Sequence, residues 1–162
     1  MPSCAAIPPT APPWPGVVII HDFTGMSQDL RHHADWLAGE GFLAIAPDLY
    51  YWGSRLRCLR TIMRELGPRR GRTFDDIEAA RQWLRDQVGC TGVVGVVGFC
   101  MGGGYAIALS EGHGFDASAV TYGVALRTPQ AGCRARARSS EASAALTGPR
   151  WAPRPVNGWR TC

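Results

Sequence analysis

Four short apolar runs within the first 123 residues constrain the fold of this chain more than any other feature of its sequence. They occupy residues 17–21, 42–46, 93–99 and 118–122. The continuous β-branched run at residues 17–21 is typical of a strand that is buried on both faces of a parallel sheet, and residues 118–122 could form a fourth strand. Because segments with helical periodicity separate the runs, the sequence predicts an α/β fold with a mostly parallel, doubly wound sheet.

The first and last of the predicted helices have clear starting points. Ser27 is placed to cap a helix that closes at Gly39 or Gly41. The apolar face of this helix would consist of Leu30, Ala34 and Leu37. The last predicted helix opens directly after the third strand, at Cys100 and Met101, and runs to about Glu111.

Two further helices are predicted between the second and third strands. The first covers residues 54–66 and carries apolar residues at helical spacing, which are Leu56, Leu59, Met63 and Leu66. The second begins at Thr73, whose hydroxyl lies three residues before Asp76 in a capping-box arrangement. Its inward face would consist of Ile77, Ala80 and Leu84, and Gly89 would end it.

Composition divides the chain into three parts. Residues 1–16 hold six of the twelve prolines and are expected to form a lead-in without strand or helix. Residues 17–124 contain all the predicted elements and form one domain, with a net charge of −2. Residues 125–162 carry seven arginines against Glu141 alone and very few large aliphatic side chains, so we expect this tail to be disordered.

Several classes of protein are excluded by the sequence. No apolar run reaches the eighteen residues of a membrane span, and the first residues lack a basic segment followed by an apolar one, so we expect a soluble cytoplasmic protein. The arginine-rich stretch at residues 134–138 has no interleaved aromatic residues, which argues against a nucleic-acid partner.

The six cysteines include no C-x-x-C pair and no histidine at metal-ligand spacing, which argues against a metal site. Cys90 and Cys100 flank a predicted strand, so their Cα atoms would lie roughly 30 Å apart and could not form a disulfide. Reduced thiols would suit the cytoplasm.

Cys100 stands where the third strand turns abruptly into a small-residue helix. Such a turn lifts a nucleophilic side chain above the surrounding backbone, and Gly98 and Gly102 remove Cβ atoms that would collide there. The following helix would direct its first N–H groups at the site and favour thiolate over thiol. The alternative is that Cys100 is a small buried hydrophobic residue and the glycines only allow close packing. The glycine spacing does not match G-x-G-x-x-G, and a P-loop needs a lysine that this chain lacks.

The motif GFCMGG at residues 98–103 resembles the nucleophile elbow of the dienelactone hydrolase family of α/β-hydrolases. Residues 17–50 resemble that family's strand, His-Asp turn, helix, strand and Ala-Pro-Asp-Leu-Tyr segment, and residues 118–123 resemble the strand after the elbow helix. The resemblance covers roughly residues 15–124. It implies a partial α/β-hydrolase fold and a hydrolase of carboxylic esters or lactones that needs no cofactor and acts on a small-molecule substrate.

The resemblance also implies roles for individual residues. Cys100 would be the nucleophile, and the N–H groups of Met101 and Phe23 would form the oxyanion hole. Asp22 would hold or deprotonate the resting thiol, although a carboxylate that only caps a turn is an equal alternative. His21 would orient its loop rather than transfer protons. The remaining polar residues near these motifs have simpler roles, with Asp48 capping a turn and His32 and His33 solvated.

The chain departs from the family after the elbow. The acid and the histidine of an α/β-hydrolase triad follow two further strands, but here the only histidine after the predicted elbow helix, which runs to about Glu111, is His113, and the only carboxylates after that helix are Asp116 and Glu141. We therefore interpret the chain as a truncated and impaired hydrolase whose tail arose by a reading-frame shift near codons 124–126 or is a native extension. The alternative function is a non-catalytic binding or thiol-redox protein.

Overall fold

The apolar runs form the strands of one five-stranded sheet in the computed structural model, which describes residues 1–123. The strands are β1 (Ser3–Ala6), β2 (Trp14–Ile20), β3 (Leu43–Pro47), β4 (Cys90–Cys100) and β5 (Ala117–Gly123). The helices are α1 (Gln28–Gly39), α2 (Arg55–Leu66), α3 (Arg72–Arg85) and α4 (Met101–Leu109). The strand order is β1-β3-β2-β4-β5, and every neighbouring pair is parallel except β1 with β3. The predicted α/β fold with a mostly parallel sheet is confirmed.

The two faces of the sheet carry separate cores because successive side chains on a strand point to opposite faces. One face packs against α1, and its buried residues include Ile19 of β2, Ala44 of β3 and Ala34 of α1. The other face packs against α2, α3 and α4, and its core includes Val18, Ile45, Val96, Ile62, Ile77 and Leu109. Helices therefore cover both faces, as expected for a doubly wound sheet.

The prediction that residues 1–16 form no strand is wrong. Ser3–Ala6 pairs antiparallel with β3, from Ser3 opposite Pro47 to Ala6 opposite Ala44. This strand contains none of the six prolines, and most of them lie between β1 and β2. Pro15 does lie in a strand, but the β2–β4 register shifts between Trp14 and Gly16, so the ladder skips the residue that lacks an N–H.

The helix predicted at residues 54–66 exists, but its buried face matches the predicted apolar positions only in part, since Leu66 is buried and Leu59 packs half-buried against the core. Its buried residues are Cys58, Ile62 and Leu66, whereas the Leu56 side chain is 81% exposed and Met63 is also exposed. Contacts from neighbouring elements fix this orientation, because the Tyr105 hydroxyl of α4 donates a hydrogen bond to the Ile62 carbonyl at 2.7 Å. Apolar spacing alone fits more than one face of a helix that carries so many leucines.

The capping box predicted at Thr73 is also absent. Gly71 is the N-cap of α3, and Thr73 lies buried in its first turn. The carboxylate of Glu65, near the end of α2, accepts hydrogen bonds from the N–H groups of Arg72 at 3.2 Å and Thr73 at 2.9 Å. A side chain from the preceding helix therefore caps α3, while its predicted inward face of Ile77, Ala80 and Leu84 is confirmed.

Helix α1 begins where the sequence predicts. The Ser27 hydroxyl accepts a hydrogen bond from the Leu30 N–H at 3.2 Å, which confirms the predicted cap of α1.

The predictions for the tail, residues 125–162, lie outside the described residues. Within residues 1–123, none of the helices is long and apolar enough to cross a membrane.

Candidate active site

The carboxyl ends of β2 and β4 bring the predicted site residues to the same edge of the sheet. These two strands are parallel, with Ile20 paired to Gly98. Residues that follow Ile20 and Gly98 therefore leave the sheet side by side. Ligand sites of open α/β sheets lie at this edge, outside the carboxyl ends of the strands.

Cys100 has a strained backbone at the junction of β4 and α4. It is the N-cap of α4 with φ of 54° and ψ of −110°, and Arg69 is the only other non-glycine residue with positive φ among the described residues. Such a conformation costs about 1–3 kcal/mol and is characteristic of functional sites. The residue is half-buried and therefore is not sealed inside the core. Met101, which follows it, is buried and begins the helix.

The glycines around Cys100 allow three backbone segments to approach closely. A Cβ on Gly98 would overlap the carbonyl of Gly102. A Cβ on Gly102 would overlap the Ile20 carbonyl of β2 and lie 2.8 Å from the His21 carbonyl oxygen. The first turn of α4 therefore lies directly against the end of β2 and the loop that follows it.

The loop after β2 carries Asp22 and Phe23. The Asp22 carboxylate accepts hydrogen bonds from the Thr24 N–H at 2.8 Å and from the Thr24 hydroxyl, which is the geometry of a turn cap. The Phe23 side chain is 61% exposed. Within residues 1–123 the Phe23 N–H donates no hydrogen bond.

His21 connects this loop to the segment after β3. The imidazole is completely buried, its Nε2 accepts a hydrogen bond from the Leu49 N–H at 3.1 Å, and its Nδ1 lies 2.6 Å from the Asp22 carbonyl oxygen. Because Nε2 accepts, the proton is on Nδ1 and the ring is neutral. Burial lowers the pKa of His21 below its ordinary value, although the Asp22 carbonyl and the Asp48 carboxylate oppose this shift. These contacts fit the predicted role of His21 in orienting the loop.

Tyr50 supports the same loop from the segment after β3. Its hydroxyl donates a hydrogen bond to the Phe23 carbonyl at 3.0 Å, and its ring lies 4.9 Å from that of His21. Burial raises the pKa of Tyr50 to about 12, so the hydroxyl remains a donor at neutral pH. The Asp48 carboxylate accepts the Tyr50 N–H at 2.9 Å, which is the turn-capping role predicted for Asp48.

A cleft of about 270 Å³ opens beside the elbow, between the loop after β2, α1 and β5. Its lining includes Asp22, Thr24, Leu30, His33, Phe99 and Tyr122. The His33 ring lies 4.7 Å from that of Phe99, the residue before Cys100. His33 is exposed, as expected, and tertiary packing also brings its ring against the elbow strand. His32 is exposed, as expected.

The later histidine and carboxylate lie away from Cys100. His113 follows α4, whose nine residues extend about 13 Å, and its Nδ1 contacts the Glu78 carboxylate at 2.5 Å. The Asp116 carboxylate accepts the Val94 N–H at 2.8 Å, and Val94 precedes Cys100 by six strand residues, or about 20 Å. In the part of the chain that the structure describes, no cluster of three or more His, Cys, Asp or Glu residues could hold a metal ion.

A strained turn from an inner parallel strand into a helix that packs on it through glycines has the backbone arrangement typical of α/β-hydrolases. The family model described as dienelactone hydrolase family matches residues 1–145, and the chain belongs to this family. The match includes the first sixteen residues, in agreement with the presence of β1.

Individual relatives agree with this assignment. The chain is 32% identical over 127 residues to the carboxymethylenebutenolidase of Pseudomonas putida, covering 73% of this chain and 54% of the relative. It has the same identity and coverage with carboxymethylenebutenolidase 1 of Cupriavidus pinatubonensis. The crystal structure of a dienelactone hydrolase-like promiscuous phosphotriesterase from metagenomic libraries is 27% identical, with a TM-score of 0.60, and the match covers 74% of this chain and 52% of that one. The chain thus spans about half the length of these relatives.

Proposed function

We propose that this chain supplies the nucleophile and oxyanion hole of a hydrolase that cleaves a carboxylic ester or lactone. The observation that carries this proposal is the backbone of Cys100, since positive φ in a non-glycine residue between β4 and α4 is retained at a cost in stability. Relatives named carboxymethylenebutenolidase support a lactone or ester as the small-molecule substrate. The proposal requires no cofactor, metal or nucleic acid, and we expect the protein to act in the cytoplasm.

The reaction begins with attack of the Cys100 Sγ, as thiolate, on the acyl carbon. A carbon–sulfur bond forms, the carbonyl oxygen becomes an oxyanion, and the N–H groups of Met101 and Phe23 donate hydrogen bonds to it. Collapse of this intermediate breaks the bond to the alcohol oxygen, which leaves with the proton that the Cys100 thiol gave up. Water then hydrolyses the thioester, which releases the carboxylic acid and restores the thiol.

Asp22 is proposed as the acidic residue that receives the thiol proton. It lies on the loop against which the first turn of α4 packs, and it lines the cleft beside Phe99. Its bonds to Thr24 hold the carboxylate in place and are equally consistent with a role limited to turn capping. Asp22→Asn keeps one acceptor oxygen for Thr24 but cannot take a proton, so it separates the two roles.

The thioester step is expected to be slow because, within residues 1–123, no histidine is hydrogen-bonded to Cys100. His21 is buried with both ring nitrogens engaged, and His113 lies beyond the far end of α4. General-base assistance is typically worth about 10²- to 10⁴-fold. We therefore expect acylation of Cys100 followed by slow turnover.

Stopped-flow measurement of p-nitrophenol release from p-nitrophenyl acetate tests the proposal. We expect a burst of about one equivalent, a slow steady state, and loss of the burst in Cys100→Ala but not in Cys58→Ala. Equal slow release by the wild type and Cys100→Ala would overturn it and favour a binding protein. Asp22→Asn should slow the burst at neutral pH if Asp22 accepts the thiol proton and leave it unchanged if Asp22 only caps the turn.

A further inference from the structure

Three successive carbonyl groups after β2 are each held by a side chain. The Asp22 carbonyl is bonded to His21 Nδ1 at 2.6 Å, the Phe23 carbonyl accepts the Tyr50 hydroxyl at 3.0 Å, and the Thr24 carbonyl accepts the Arg55 guanidinium. Tyr50 and Arg55 both come from the segment after β3. The loop is therefore fixed from a neighbouring strand rather than by its own turn alone.

The N–H groups of the same three peptide units are used differently. The Thr24 N–H donates to the Asp22 carboxylate at 2.8 Å, and the Gly25 N–H donates to the Asp22 carbonyl at 3.3 Å. Only the N–H of Phe23 has no acceptor within residues 1–123. An N–H group without an acceptor, held in a fixed loop, can donate to a developing oxyanion.

Peptide planarity links this free N–H to His21. The Phe23 N–H and the Asp22 carbonyl belong to one peptide unit, and in a trans peptide these two groups point in opposite directions. The bond from His21 Nδ1 therefore determines the direction of the Phe23 N–H. Tyr50 holds the next peptide plane and so prevents rotation about Phe23.

We propose that His21 and Tyr50 are positioning residues that aim the Phe23 N–H at the acyl oxygen of the substrate. This inference rests on the proposed function and deepens it. Neither side chain contacts the reacting atoms in this account. His21 sets the peptide plane through the Asp22 carbonyl and is itself oriented by the Leu49 N–H.

Two reactions of the Cys100 thiol distinguish positioning of the Phe23 N–H from a role of His21 and Tyr50 in stability alone. Acylation by p-nitrophenyl acetate passes through an oxyanion and uses the hole. Alkylation by iodoacetamide displaces iodide at a saturated carbon and forms no oxyanion, so it reports only the accessibility and reactivity of the Cys100 thiol. The ratio of the two second-order rate constants therefore isolates the oxyanion hole.

The variants are His21→Leu, His21→Gln and Tyr50→Phe, with Tyr51→Phe as the matched control. The Tyr51 hydroxyl contacts Asp76 and Arg72 and none of the loop carbonyls. Removal of one oxyanion donor typically lowers a rate about 10²- to 10³-fold, so a misaligned donor should lower the acylation-to-alkylation ratio about tenfold. We expect this loss in His21→Leu and Tyr50→Phe, partial rescue in His21→Gln, and no change in Tyr51→Phe.

The measured ratios separate failure of this inference from failure of the proposed function. An unchanged ratio in Tyr50→Phe and in either folded His21 variant, judged by near-UV circular dichroism, would overturn the inference while leaving the proposed function intact. Failure of the wild type to acylate at Cys100 would overturn the proposed function and the inference with it. Tyr50→Phe removes a single hydroxyl and keeps the test valid if His21→Leu fails to fold.

Discussion

Gly98 lies against Gly102 across the elbow, so closely that a Cβ on Gly98 would overlap the Gly102 carbonyl oxygen. The obstructing atoms are backbone and cannot rotate away. We predict that Gly98→Ala lowers the free energy of unfolding by about 3 kcal/mol, the upper end of the usual overpacking penalty, as measured by urea denaturation. Gly95→Ala is the control, because it lies in the same strand and its Cβ would meet the Ala117 carbonyl at an ordinary 3.5 Å. Equal losses in both variants would contradict this packing.

The cap that Glu65 provides to α3 gives a second prediction. Its carboxylate accepts two first-turn N–H groups, those of Arg72 and Thr73, and its negative charge lies at the positive end of the helix. Glu65→Ala should lower the free energy of unfolding by about 1–2 kcal/mol, as other capping residues do. Glu111→Ala, in an exposed turn after α4, is the control and should be nearly neutral. A thermal midpoint unchanged in Glu65→Ala would refute the cap.

The features that the sequence predicts well are those fixed by local chemistry. The runs in β2 and β3 are almost entirely buried, as their apolar pattern predicts, whereas β5 is exposed throughout, and Ser27 caps α1 within its own turn. The strain at Cys100 could be expected because a strand, a thiol and flanking glycines are contiguous in the chain. Each of these depends on residues close in sequence.

The features that sequence reasoning missed depend on distant partners. Ser3–Ala6 has little strand propensity of its own and becomes β1 because β3 offers it an open edge. The buried face of α2 is decided by Tyr105, 43 residues beyond Ile62. The contact of His33 with Phe99 likewise joins residues far apart in sequence, and periodicity carries no information on such pairs.

The buried state of His21 predicts a specific dependence of stability on pH. Burial lowers the pKa of His21 in the folded protein, whereas the unfolded chain titrates near the ordinary value of 6.5. The contribution of neutral His21 to the free energy of unfolding is therefore fully present above pH 6.5. It is lost as the pH falls toward the folded pKa, because the unfolded state binds the proton first. We expect the wild type to lose more stability between pH 7.5 and 5.5 than His21→Gln, measured by urea denaturation at each pH. An equal loss of stability in the two proteins over this pH range would show that His21 does not titrate in this way.

His113 gives a prediction about the missing base. Its imidazole pairs with Glu78 and stacks on Phe74 at 5.4 Å, so its role is to attach the loop after α4 to α3. His113→Gln should lower the thermal midpoint slightly and leave the rate of thioester hydrolysis at Cys100 unchanged. A decrease in that rate by tenfold or more, with the protein still folded, would identify His113 as the base and contradict its assignment as a structural residue.

The most direct test of the account is the location of the acyl group after reaction with an activated ester. The protein would be mixed with p-nitrophenyl acetate, quenched in acid within seconds, digested, and analysed by mass spectrometry of its cysteine peptides. We predict one acetyl group on Cys100, with Cys58 and Cys90 unmodified. Acetylation spread over several of the six cysteines, or absent from Cys100, would contradict the claim that the strained turn between β4 and α4 presents a nucleophile.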